Sequence, residues 1–324
     1  MNAVAVAPAP RRARLVLSPD DNAVLAARAT IRFHLRAFSA VEEDARAGEV
    51  EAVHQLRVAT RRLRAALRLF GPLLPARFAT TAQDDLAWLA DAIGAVRDRD
   101  VLFEALKAEA IPLEPGLRKA FGAVGLALHD ERSAALATLG TALDSDKCRR
   151  LVQRLTAFVE GRVAQRQGRL GDAAPGLLAP IVRPVRRAGR RLAPGSPPPD
   201  FHRLRVRVKR LRYALETLRG LGDKPLRRLL RELEELQELL GEGQDTITQI
   251  TWLRRYASND ASRRASLLPV GAVIQALARR GTKRRRKGLK AWRRLEQSGL
   301  LEDVLAGLGG EVRERSPVRE VKSA

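Results

Sequence analysis

Two segments of this sequence place imidazole and guanidinium groups at helical spacing. Residues 53–70 read Val-His-Gln-Leu-Arg-Val-Ala-Thr-Arg-Arg-Leu-Arg-Ala-Ala-Leu-Arg-Leu-Phe, and residues 201–218 read Phe-His-Arg-Leu-Arg-Val-Arg-Val-Lys-Arg-Leu-Arg-Tyr-Ala-Leu-Glu-Thr-Leu. Aligned without a gap, nine of the 18 positions are identical, among them His54 with His202, Arg57 with Arg205, Arg62 with Arg210 and Arg64 with Arg212. Arg61 stands opposite Lys209, which keeps the charge, and Arg68 stands opposite Glu216, which does not. At about 100° per residue, His54, Arg57, Arg61, Arg64 and Arg68 fall within an arc of roughly 80° on a helix. His202, Arg205, Lys209 and Arg212 make the same stripe. Leu56, Leu63, Ala66, Leu67 and Phe70 lie on the other side and face a core. Arg62 and Arg210 sit off the stripe.

The chemistry such a row can do is the capture of oxyanions. A guanidinium forks onto phosphate oxygens with two parallel hydrogen bonds, where an ammonium offers a point charge. The bland alternative is a solvated helix face. Solvated faces mix signs at i,i+4, and the stripe of the first copy contains no acid. The same unfavourable row of like charges also occurs twice. The stripes are therefore read as binding faces. The two histidines either contact the ligand, as imidazolium favoured by a nearby anion, or hold an aspartate in a structural hydrogen bond.

A second match follows each motif. Ile93-Gly94-Ala95-Val96-Arg97-Asp98 lines up with Leu240-Gly241-Glu242-Gly243-Gln244-Asp245, and Leu86 and Leu89 line up with Leu233 and Leu236. From histidine to aspartate the distance is 44 residues in the first copy and 43 in the second. Asp98 and Asp245 are expected to be structural, either orienting neighbouring guanidinia or capping a helix. The chain reads as a tandem duplication of a helical unit of about 150 residues.

Composition agrees with a helical polyanion binder. The chain has 324 residues, 45% hydrophobic and 30% charged, with only 4% aromatic. That is enough apolar material for a core, in a mixture that favours helix. The formal charge is +23, and 51 of the 60 basic residues are Arg. A compact fold with that charge repels itself, and a polyanionic partner relieves the repulsion. Cys148 is the lone cysteine, which leaves no internal disulfide and no thiolate zinc site and fits a reducing, cytoplasmic setting. No apolar run approaches the length of a membrane span.

Periodicity and breakers predict the elements that carry the stripes. Helices are expected over 20–46, 49–70, 76–96, 98–110, 116–143 and 147–167. After a break at 168–176, helices follow over 177–192, 201–219, 224–240, 244–256, 270–297 and 300–308. Pro184 is expected in the first turns of its helix, and Asp200 as the N-cap of the helix that starts at Phe201. Residues 1–17 and 311–324 read as flexible tails around a domain of two halves, about 18–170 and 171–310. No stretch reads as a sheet.

The residues Val53-His54-x-x-Arg57-x-x-x-Arg61-Arg62-Leu63-Arg64 and His202-x-x-Arg205-x-x-x-Lys209-Arg210-Leu211-Arg212-Tyr213 resemble the CHAD family, the conserved-histidine α-helical domain. Gly94-x-x-Arg97-Asp98-x-Asp100-Val101 and Gly241-x-x-Gln244-Asp245 support the resemblance, which covers about residues 18–310. It implies an all-α fold of two helical bundles related by a pseudo-twofold axis, with the two motif helices lining a shared basic groove or pore. It also implies a stand-alone, non-catalytic binder of inorganic polyphosphate in the cytoplasm, associated with polyphosphate granules. Some members are fused to a CYTH triphosphatase domain, whose Glu-x-Glu-x-Lys signature is missing here. Gln244 in place of Arg, and Glu216 opposite Arg68, are departures that bear on the symmetry of the halves.

Further basic rows are candidates to extend the site or to be solvated faces. They are Arg28, Arg32 and Arg36; Arg183, Arg187 and Arg190; and Lys283, Lys287 and Lys290 within a dense C-terminal cluster. No metal site, Walker loop or nucleophile elbow is recognisable, and no cofactor is implied. The competing readings are non-specific nucleic-acid binding, which net charge alone permits, and a scaffold for acidic proteins. Trp88, Trp252, Trp292, Tyr213 and Tyr256 fall at core positions, which argues against base stacking.

Overall fold

The computed structural model describes residues 15–162, 168–258 and 264–308. Among these residues the fold is all α-helical, with one isolated β-bridge between Asn22 and Arg169. The helices are α1 (Ala23–Ser39), α2 (Glu42–Arg46), α3 (Val50–Leu69), α4 (Ala76–Ala110), α5 (Pro115–Asp144) and α6 (Asp146–Glu160). They continue with α7 (Leu170–Arg190), α8 (Pro198–Thr217), α9 (Lys224–Ser258), α10 (Arg264–Gln297) and α11 (Leu300–Leu308). One pattern of lengths occurs twice. A 20-residue helix, α3, runs through a 3-10 turn into the 35-residue α4, and the 20-residue α8 does the same into the 35-residue α9.

The apolar stripes assemble two cores. The main one gathers buried leucines, valines and alanines of α1, α3, α6, α7, α8 and α11 and the first halves of α4 and α9. A second joins Leu102 and Leu106 of α4, Phe121, Val124 and Leu128 of α5, Trp252, Leu253 and Tyr256 of α9, and Val270, Val273 and Leu277 of α10. Helices α4 and α9 thus run from one core into the other. The breaks expected at 97 and at 241–243 do not occur. Gly243 is buried where α10 lies close, since a Cβ there would stand 3.3 Å from Cγ of Arg285. This glycine serves helix packing rather than helix termination.

Other boundaries also differ from expectation. The single helix expected over 20–46 is split at Ala40 and Val41, and it starts at Ala23, where the Asn22 side chain accepts from the amides of Val24 and Leu25. Helix α7 begins at Leu170 and carries Pro175, Pro180 and Pro184 inside it. Burial of Leu170, Ala174, Leu177, Leu178, Val182 and Val185 outweighs the propensity against them. Asp200 lies in the first turn of α8, capped by Pro197, and pairs with Arg203. Leu17, expected in the tail, is buried in the main core. The expectations for residues 1–14, for 163–167 at the end of the helix after Lys147, and for 309–324 lie outside the described residues.

Candidate polyanion-binding site

Helices α3 and α8 pack against each other. Leu56, Leu63 and Leu67 on one, and Leu204, Leu211 and Leu215 on the other, are buried in the main core. That division fixes where the cations go. Arg57 and Arg61 stand close enough to Lys209 to disfavour its protonation, and Arg64 acts likewise on Arg210. His54, Arg57, Arg61, Arg64, Arg68, Arg205, Lys209 and Arg212 are all partly buried, while His202 and Arg210 are exposed. The cationic face where the helices meet thus gathers Arg57, Arg61, Arg205, Lys209 and Arg212 in one group and Arg64, Arg68 and Arg210 in another.

Crowding cations in a partly desolvated strip is costly, and it lowers their proton affinities. Burial brings the Lys209 ammonium down to about 7, with Arg61, Arg205, Arg57 and Arg212 adding to the fall. Burial lowers Arg68 to about 10, helped by Arg210 and Arg64. Arg61 and Arg210 are lowered chiefly for the same reason. Burial, then Arg97, Arg61 and Arg57, lower the proton affinity of the His54 imidazole against the pull of Glu51. An oxyanion placed on this face would reverse each of these shifts.

The two aspartates hold two of the arginines. Arg57 meets Asp98 at 3.1 Å, and Arg205 meets Asp245 at 3.9 Å. Both guanidinia cross a glycine on the way. A Cβ at Gly94 would stand 2.6 Å from Nη1 of Arg57, and one at Gly241 would stand 3.6 Å from Nε of Arg205. Burial raises the Asp245 carboxyl, Arg205 and Lys209 pull it back, and Asp98 and Glu242 raise it further. Asp98 and Asp245 therefore feel each other.

Tyr213, which sequence reasoning placed only in the core, organises one end of the face. It is 3% exposed. The guanidinia of Arg62, Arg61 and Arg212 lie 4.6, 4.8 and 5.2 Å from its ring centre. Arg62 pairs with Glu216. Arg212 donates to Glu216 at 2.7 Å, to Gln237 at 3.0 Å and to Glu234 at 3.2 Å, and its side chain is 14% exposed. The expectation that Arg212 meets ligand encounters a fork already bonded inside the protein.

A family model described as the CHAD domain matches residues 29–254. This chain belongs to the CHAD domain family. It is 32% identical over 213 residues to the uncharacterized protein Rv2226 of Mycobacterium tuberculosis, a match covering 62% of this chain and 40% of that relative. The fold is similar to the CHAD domain from the plant Ricinus communis, with a TM-score of 0.72, 27% identity, and 87% and 97% of the two chains covered. It is also similar to PptA from Streptomyces chartreusis, at TM-score 0.70 and 18% identity, over 84% of this chain and 100% of the other.

Within this CHAD fold the secondary basic rows divide by role. Arg28 donates to the carbonyls of Gly161 and Arg162 and lies over Phe158, and Arg32 donates to the carbonyl of Val159 at 2.6 Å. These carbonyls end α6, where cations are favoured. Arg28 and Arg32 therefore fasten α6 to α1 rather than extend the stripe. Arg36 is exposed. Arg190 pairs with Glu296 at 2.6 Å, while Arg183 and Arg187 are exposed. On α10, Arg284 pairs with Glu242 and Arg294 with Glu235, whereas Lys283, Lys287 and Lys290 are exposed. Among the described residues, no helix is long and apolar enough to cross a membrane.

Proposed function

We propose that the protein binds inorganic polyphosphate along the cationic face where α3 meets α8, without chemical turnover. The observation that carries this reading is partial desolvation. A solvated surface row keeps its charges in water, but Arg61, Arg68 and Lys209 are held below their ordinary proton affinities by burial. Polyphosphate has about one charge per phosphate and no bases, so it needs a row of forked donors and no stacking platform. Release of its counterions adds driving force, by analogy with nucleic acids. Trp252, Trp292, Tyr213 and Tyr256 are buried, which favours polyphosphate over single-stranded nucleic acid. The setting this reading implies is the cytoplasm, on polyphosphate granules.

The test is a competition titration near physiological salt. Labelled long-chain polyphosphate is bound, then challenged with excess single-stranded RNA and duplex DNA. The quadruple alanine variant at His54, Arg57, Arg61 and Arg64 is run alongside after its helicity is checked. Survival of the wild-type complex, loss of binding in the folded variant and an unchanged chain length are expected. Displacement by nucleic acid at equal charge, or normal binding by the variant, would remove the proposal.

A further inference from the structure

The two ends of the cationic face are not equivalent, and the differences fall in one place. In the register of the two motifs, Arg61, Arg62, Arg64, Ala65 and Arg68 correspond to Lys209, Arg210, Arg212, Tyr213 and Glu216. The contacts respect that exchange. Arg62 meets Glu216 at one end, and Arg210 faces Arg68 at the other. At the first end Tyr213 and Glu216 hold Arg61, Arg62 and Arg212, with Glu234 and Gln237 completing the shell of Arg212. At the second end each of those partners is replaced. Ala65 stands for Tyr213 and Arg68 for Glu216. On α4, Ala87 and Ala90 take the positions of Glu234 and Gln237.

What remains at the second end is Arg64, Arg68 and Arg210, half-buried in the first two cases. Among the described residues none of the three has an ion pair or a side-chain hydrogen bond. A half-buried guanidinium without a protein acceptor is unfavourable, and the neighbouring like charges of Arg64, Arg68 and the exposed Arg210 add to the cost. The same fold resolves the same problem with a carboxylate at the other end. We infer that Arg64, Arg68 and Arg210 form a phosphoryl-binding subsite, the end of the face on which a polyphosphate chain is first held. The Glu216 end is closed by its internal carboxylate, so the face has a direction. This inference rests on the polyphosphate reading and adds a polarity to it.

Sodium tripolyphosphate is the probe, because it is too short to cover the whole face. Binding is measured by calorimetry and by thermal unfolding with the full chain, for the wild type, Arg68→Glu and Glu216→Gln. Arg68→Glu installs the residue type that the other half carries, so this variant is expected to unfold at a higher temperature without ligand. It is also expected to lose tripolyphosphate affinity by about tenfold or more, since a charge-assisted contact is replaced by repulsion. Glu216→Gln is expected to bind at least as tightly as wild type. If long-chain polyphosphate binds but Arg68→Glu holds tripolyphosphate as the wild type does, or Glu216→Gln loses as much, the subsite is overturned and the broader function stands. If the wild type binds neither probe, both fall together.

Discussion

Raising the pH is expected to weaken polyphosphate binding through one side chain, Lys209. Its ammonium titrates at about 7 in the free protein, against an ordinary 10.5, because it is buried among Arg61, Arg205, Arg57 and Arg212. A bound oxyanion favours the charged form and returns the value toward 10.5. Complex formation then takes up a proton between about pH 7 and 10.5. Each pH unit in that window weakens association by up to about tenfold, which makes about fiftyfold between pH 7, where half the ammonium is already deprotonated, and pH 9. Interior phosphates of a long chain stay ionised throughout, so the slope belongs to the protein. The assay is calorimetry at constant ionic strength in two buffers of different ionisation enthalpy, with Lys209→Arg as the control that should be flat. The free protein runs the other way. Since the folded value is depressed, the unfolded chain holds the extra proton in the same window, and stability rises with pH there. Affinity independent of pH between 7 and 9, or an equal slope in Lys209→Arg, would refute the reasoning.

Two further outcomes follow from named contacts. Changing Arg57, Arg61 and Arg64 together to Lys keeps the charge and removes the fork; polyphosphate affinity should fall by about tenfold or more while weak duplex DNA binding stays level, as read by the two titrations. Gly94→Ala puts a methyl 2.6 Å from the present position of Arg57 Nη1 and should weaken polyphosphate binding with little change in melting temperature, whereas Gly241→Ala, with 3.6 Å of room, should bind nearly as the wild type.

Much of the fold was legible because helix period, breakers and the repeated motif are local signals. The buried leucines of α3 and α8 fall where the 3.6-residue pattern put them. The helices that run on through expected breaks have one cause. Gly241 and Gly243 look like stops, and Pro175, Pro180 and Pro184 look like breaks, until tertiary packing is known to override propensity. At the candidate site, the stripe was visible and its partners were not. Nothing local says that Tyr213 lies under three guanidinia, or that Arg28 and Arg32 end α6. The register offered one missed signal. Ala65, Arg68, Ala87 and Ala90 against Tyr213, Glu216, Glu234 and Gln237 could have marked the unequal ends from the alignment alone.

The pairing of α3 with α8 also sets the order in which the chain can fold. Arg61 and Lys209 are 148 residues apart (209 less 61). At roughly 5–20 residues per second, synthesis leaves the first arginine row without its opposite helix for about 7–30 s. The local helix pairs have formed by then, since such contacts close in microseconds to milliseconds. Docking of α8 onto α3 is therefore a late step, and it brings like charges together. Salt or a polyanion should speed that step, so the molecule that the finished face holds would also assist its assembly.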